Sequence, residues 1–530
     1  MKHPFPLLLF AACIFGCSKH NDKVASVATP PPIKTPVLQT NAVTNLTHFS
    51  VNLSGKILSS SGEAISEFGF VIDTASEPTT AKNFFKFQVQ QTDSAGDFVL
   101  NVDELPSLTT YYVRAYAIDS AGAGYGNTVK FSTLLSKVYE GDVTLSTQQQ
   151  VIDFGSNHYT IIDGNMTING SVTDLTPLIG LSAVNYTFTA SNSALVNFKG
   201  LDSLELTGAL YANGFFVEYN ANLINFTGLG RLKQSNGETQ IDFNPALQSL
   251  DGLDSYIAAN YGDLRITDCA SLQNLNGLKK MLGVSEDFYL DNNPALTDIS
   301  GLSMVSTVNG RIYILNDASL PSLHGLEGIH SLDGGLDIES NASLSDLSAL
   351  SNLTSIAGAN EPGALTLTGN PMIKDLSVFK HLPYVSYLTI DNNTGLTSLS
   401  GLSNLSYAGV VEFVGDSNLK DLTGLTALTK VSRLTITDNP SLVNLHGLDG
   451  VTTILDNEYS ITMARNNSLV SLDGLENLTS APGTIQIFSN PVLTDFCPLK
   501  LLFTTGYTNW FYTQYNGSNP TQDQVVANCQ

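Results

Sequence analysis

Gly415-Asp416-Ser417 sets a serine beside an acid, an order in which some hydrolases present their nucleophile. His324 and His446 are candidates to share a metal ion, and Asp291-Asn292-Asn293 could offer oxygens to a calcium ion. These groups do not converge. The two histidines hold the same position before a Gly-Leu pair, about five repeats apart, or roughly 24 Å at the spacing of stacked strands. The chain has no Gly-x-Ser-x-Gly elbow, no His-Glu-x-x-His and no cysteine spacing suited to zinc. The sequence therefore predicts no enzyme, no cofactor and no metal. The chemistry it can do is recognition at a surface, through Phe216, Tyr219, Gln240, Phe243, Arg265, Tyr289 and Tyr313.

A repeat must position those side chains. Asn192, Asn220, Asn244, Asn293, Asn341, Asn370, Asn393, Asn439, Asn466 and Asn490 each precede a leucine or isoleucine by three residues, and Cys269, Asp317 and Asp416 fill the same slot elsewhere. The steps between slots are mostly 23 to 25 residues, with longer ones marking insertions. That period predicts a solenoid of about 13 coils, each burying the apolar edge of its neighbour. In the coil at Asn439, Leu434 and Ile436 are two apart and point inward from one strand, and Leu442, Leu445, Leu448 and Val451 continue the lining. The asparagine falls where the chain leaves the strand, and its amide both donates and accepts, so stacked copies can satisfy the turn. The slot also gives Asp416 and Cys269 structural roles.

The residue between the two inward positions faces out. It reads Phe216, Gln240, Arg265, Tyr289, Tyr313 and Asp337, then Thr366 and Thr389, with Glu218, Tyr219, Asp242 and Phe243 nearby. Exposed aromatics beside arginine suit a protein or glycan ligand. The same column would also arise from cross-strand pairing that only stabilises the sheet, or lie beneath the insertion at Ser203–Gly214. In the first coil, with Asn192 in the slot, Thr187 and Thr189 stand where aliphatic residues are expected.

The repeat's spacing, as in Asn293-Pro-Ala-Leu296, and its recurring Gly-Leu (Gly301-Leu302, Gly325-Leu326, Gly447-Leu448) resemble the receptor L domain and, more closely, leucine-rich surface lipoproteins of Gram-negative bacteria. Tyr139–Gly170 resembles their opening: a strand, a short helix begun by Ser146 or Thr147, then the first coil. Residues 37–134 read as short strands of a small Ig-like β-sandwich, and Thr110–Thr133 resembles the last strands of fibronectin type III-like modules. The fold expected is mainly β: that sandwich, then a right-handed leucine-rich, receptor L-like solenoid with a parallel sheet over 135–500, and a cap over 501–530 carrying Trp510. Asp73-Thr-Ala75, Asp93-Ser-Ala95 and Asp119-Ser-Ala121 resemble a glycosylation acceptor pattern but read foremost as turns.

A formal charge of −24 repels phosphate backbones, so nucleic acid is not an expected partner. At the start, Lys2 and His3 precede the apolar run Pro6–Phe15, and Ile14–Cys17 resembles a bacterial lipobox. The resemblance implies a signal peptide over 1–16, lipidation of Cys17, and a proline-rich tether over 17–36 anchored to the outer membrane. In that oxidising compartment Cys497 and Cys529 can pair. The sequence thus points to a non-enzymatic cell-surface binding or adhesion lipoprotein. A polysaccharide-binding or -degrading β-helix and a passive surface-layer component are the other readings.

Overall fold

The computed structural model describes residues 34–60, 62, 64–103, 105–208, 214–356 and 363–529. The expected signal peptide, Cys17 and nearly all of the tether lie outside the described residues, as does part of the insertion at Ser203–Gly214. The chain divides into two compact units, Met1–Thr133 and Leu134–Gln530.

The first unit holds two antiparallel sheets. Val51–Ser59 pairs with Val37–Thr40 on one side and Asp97–Val102 on the other. The second sheet runs in the order Phe85–Gln88, Glu67–Asp73, Thr110–Asp119 and Gly122–Tyr125, with Val129–Ser132 also on Thr110–Asp119. Alternation along Thr110–Asp119 turns Tyr111, Val113, Ala115 and Ala117 inward, where they meet Leu53, Phe70, Phe98 and Phe131 in one core. The three Asp-Thr/Ser-Ala triplets are side-chain turns: Asp73, Asp93 and Asp119 accept from the N–H groups of Ala75, Ala95 and Ala121 at 2.8–2.9 Å.

The second unit is a parallel β-solenoid of about 15 turns with little helix. Its main sheet has 17 strands, from Val143–Leu145 to Phe511–Gln514. Three of the four strands beyond the expected 13 coils lie at the ends, and the fourth, Thr453–Ile454, pairs with the upstream part of Lys430–Thr437. Val143–Leu145 and Met166–Gly170 pair in register before any asparagine slot exists, and Phe511–Gln514 adds a strand inside the segment expected to be only a cap. A second ribbon of very short strands runs alongside, eight of them ending at Thr307–Val308 and a further pair formed by Ser331–Leu332 and Ser355–Ile356. From Tyr384 to Thr437 the two ribbons merge into eight-residue strands, because those coils step by 23 residues and lack the extra residue that bends the longer coils. Leu434, Ile436, Leu442, Leu445, Leu448 and Val451 are all buried in one core that runs the length of the unit.

The asparagines form a ladder in which each coil grips the one before it. Oδ1 of Asn439 accepts from the backbone N–H of Asp416 at 2.9 Å, and its Nδ2 donates to the carbonyl of Phe413 at 2.9 Å. The same pair of bonds recurs at Asn341, Asn370 and Asn466. All of these side chains are buried, so an unpaired turn here would leave backbone groups without water. The residue just before the slot takes a left-handed backbone, as at Asn292 (φ 54°), Asn392 (φ 54°) and Gly415 (φ 71°). That explains the doubled Asn-Asn and Asp-Asn in the sequence: asparagine and aspartate enter that region most readily after glycine.

The ladder corrects the first coil. Asn192 is exposed and sits in the left-handed position (φ 51°), while Ser193 occupies the slot and donates its N–H to Asn220 Oδ1 at 3.0 Å. A shift of one residue exchanges the two faces of a strand, so Phe188 and Ala190 point inward and the threonines do not. At the other end the ladder continues past Asn490 to Asn516, whose Oδ1 accepts from Asn490 N–H at 3.0 Å. The helix Gln148–Gly155 is capped by Thr147 and Gln522–Asn528 by Thr521, each in a reciprocal capping box. Cys497 and Cys529 are joined, 32 residues apart in sequence, a closure that stabilises by about 3–4 kcal/mol.

Cys269 keeps the slot without the full grip. Its N–H donates to Asn293 Oδ1 at 3.1 Å, its thiol is only a weak donor, 3.7 Å from the Ile241 carbonyl of the preceding coil, and burial pushes the thiol up to about 12. Asp317 and Asp416 accept through Oδ1, while Oδ2 of each, standing where an asparagine carries its donating amide, has no hydrogen-bond partner among the described residues. Burial raises Asp317 to about 7 and Asp416 to about 8, with Asp291 and Asp391 as like-charged neighbours. A protonated carboxyl restores the missing donor, so the folded state favours the neutral form of both groups below about pH 7.

Two outcomes follow. Asn439→Ala orphans the Asp416 N–H and the Phe413 carbonyl and should destabilise the solenoid by about 2–4 kcal/mol, read from the urea midpoint. For Asp317 and Asp416 the folded pKa lies above the unfolded value of about 3.9, so their stabilising effect is full below about pH 4 and is lost as pH rises to about 8. The double variant Asp317→Asn, Asp416→Asn should match the parent near pH 4 and exceed its melting temperature increasingly towards pH 8. Parallel melting curves across that range would show that the carboxyls do not titrate there.

Candidate functional site

Strand register sets the outward column. Phe216, Gln240, Arg265, Tyr289, Tyr313, Asp337, Thr366 and Thr389 are successive partners across the parallel sheet. Its middle is tied together internally. Arg265 pairs with Glu238 at 2.9 Å and Asp263 at 2.7 Å, and its guanidinium lies 3.8 Å from the centre of the Tyr289 ring. Tyr289 donates its hydroxyl to Asp287 at 3.0 Å and stacks on Tyr313 with ring centres 4.4 Å apart. Burial and the adjoining carboxylate raise the Tyr289 phenol well above its ordinary range. Beyond Tyr313, Asp337 is 7% exposed; its Oδ2 meets Arg311 at 3.1 Å and its Oδ1 has no partner among the described residues. These half-buried rings form a rigid wall whose faces are largely taken by one another.

Tyr219 and Phe243 differ. They stack with ring centres 4.7 Å apart and planes 3° from parallel, yet stay 51% and 42% exposed. Each occupies the left-handed position before a ladder asparagine, at φ 56° and φ 52°, where the other coils place Asn, Asp, Ser or Gly, apart from Arg465 and, in the last coil, the exposed Tyr515. A bulky residue there carries backbone strain of about 1–2 kcal/mol. Nothing in the core requires either ring. Beside them are Glu218 and Asp242, adjacent rungs of the sheet. Burial, then the charge of Asp242, raises Glu218; burial also raises Asp242, despite hydrogen bonds from Thr267 and Gln240.

The sequence reading missed a second aromatic group. Tyr384 and Tyr387 are 41% and 43% exposed, and Tyr384 stacks on Tyr407 at 5.2 Å. They stand on the part of the merged strands upstream of the expected column, so the face that read as bland threonine gains another row. The signal was the 23-residue step, which leaves no residue for a bend between the ribbons. Trp510, 62% exposed, flanks the last strand.

Among the described residues, no cluster of three or more His, Cys, Asp or Glu is gathered for a metal ion, and no helix is long and apolar enough to cross a membrane. His324 and His446 each lie beside an acid three residues on, Glu327 and Asp449. Asp416, the acid of the Gly-Asp-Ser triplet, is buried in the ladder.

No family model matches the chain, and no curated protein matches it. Among solved structures it is similar to the sensor domain of the anti-sigma factor RsgI4 in Pseudobacteroides cellulosolvens, 16% identical, covering 19% of this chain and 97% of that one at a TM-score of 0.16.

A double-mutant cycle on Arg265→Ala and Tyr289→Ala should return a coupling of about 0.5–1 kcal/mol in urea unfolding. Strict additivity would mean that the guanidinium–ring contact contributes nothing.

Proposed function

We propose that this chain is a non-enzymatic surface lipoprotein whose solenoid displays the sheet face at Tyr219 and Phe243 to a ligand. The observation that carries the reading is the stacking of two strained, exposed rings in adjacent coils, at a position that the other coils fill with small or polar residues except for Tyr515 in the last. Strain kept at an exposed site without benefit to the core points to recognition. Tyr289, Tyr313 and Arg265 serve as the wall beside that pair, fixed in advance and therefore ordered at little entropic cost on binding. In this reading the coils are of the leucine-rich, receptor L-like type, and the first unit is a fibronectin type III-like spacer of Ig-like topology. Cys17 carries the lipid and the proline-rich segment holds the folded units off the outer membrane, at the cell surface.

Two measurements test the two halves of the proposal. Cys17→Ser should move the protein from the membrane fraction to the soluble fraction. Tyr219→Ala with Phe243→Ala should abolish binding in a glycan array and in pull-downs from neighbouring-cell surfaces, with a melting temperature equal to or slightly above the parent's. Undiminished binding by that variant would remove the face from the proposal.

A further inference from the structure

We infer that the face around Tyr219 and Phe243 takes a basic, arginine- or lysine-rich segment of a partner protein; this rests on the reading of that face as the ligand-binding one. The first support is charge complementarity. Glu218, Asp242, Asp268, Asp291 and Glu339 line the rows beside the rings. In the strands from Phe215–Glu218 to Gly335–Glu339 and their flanking residues the basic side chains are Arg265 and Arg311, and both are already paired with acids. Among the described residues no lysine or arginine forms an ion pair with Glu218 or Asp242. Burial above all, with a smaller contribution from like-charged neighbours, holds both carboxyls above their ordinary range, a penalty that an incoming cation relieves.

The chain itself displays the recognition mode. Arg265 lies over one ring of a stacked tyrosine pair and between two carboxylates, Glu238 and Asp263. Tyr219 and Phe243, beside Glu218 and Asp242, set another stacked pair next to carboxylates three coils earlier, with the rings open to solvent. A neutral sugar would stack on the rings and donate hydroxyls to the carboxylates without neutralising them; a guanidinium also brings the opposite charge.

The test uses the whole chain and three probes in calorimetry at low and high salt: a short oligoarginine peptide, an oligoglutamate peptide and a neutral oligosaccharide. Oligoarginine should bind and oligoglutamate should not. The oligoarginine affinity should fall by about tenfold or more in high salt, in Glu218→Gln with Asp242→Asn, and in Tyr219→Ala with Phe243→Ala. Neutralising two exposed acids off this face, Asp254→Asn with Asp523→Asn, should leave it unchanged. Equal weakening by that remote pair, or no oligoarginine binding, overturns the inference. Oligosaccharide binding that the ring variant abolishes and salt leaves intact also overturns it, while leaving the face as a ligand site. Loss of neither ligand in the ring variant removes the face itself.

Discussion

Every part of the second unit depends on one constraint: a turn that is buried between neighbours must find its hydrogen bonds in those neighbours. A coil of some two dozen residues cannot enclose its own apolar side chains, so it is covered above and below, and water is shut out of the place where each strand turns. The asparagine answers this with one side chain, accepting from the N–H of the preceding slot and donating to a carbonyl of the preceding strand. The ladder is therefore directional. Each coil is completed by the one that follows it, and the last rung, Asn516, is held in turn by Asn519.

The same geometry makes a surface. Because the slot is fixed, the residue before it is driven into the left-handed region in coil after coil, and its side chain emerges at the margin of the sheet. Where that residue is Asn, Asp or Gly the position is a turn and nothing more. Where it is Tyr219 or Phe243, large rings are held in the open, one above the other, at the strand spacing. The outward column supplies a second row at the same spacing. Regular stacking thus turns single substitutions in a repeat into continuous stripes of like chemistry, with charge on one stripe and aromatic faces on the next.

Much of this was legible beforehand. The period, the inward leucines and the outward column from Phe216 to Thr389 follow from counting, because side chains alternate along a strand and neighbouring coils share a register. The Asn192 assignment failed for an informative reason: asparagine suits both the slot and the left-handed position before it, and only the packing of Phe188 and Ala190 separates the two. The final coil was missed because Asn516 is not followed by the usual leucine. Tyr384 and Tyr407 were missed because counting does not show that two ribbons fuse when a coil loses its bend.

By itself, the sequence determined the repeat, most of the slots and most of the side chains that the strands turn inward, since these follow from local periodicity and from the need to bury the apolar group at every second or third position. Only the tertiary structure decided which outward rings are free. Tyr289 and Tyr219 read alike in the chain, yet one is pinned between Arg265 and Tyr313 and the other stands open. The difference lies in contacts between residues a full coil apart, and no local pattern encodes how such neighbours share their faces, their charges and their hydrogen bonds.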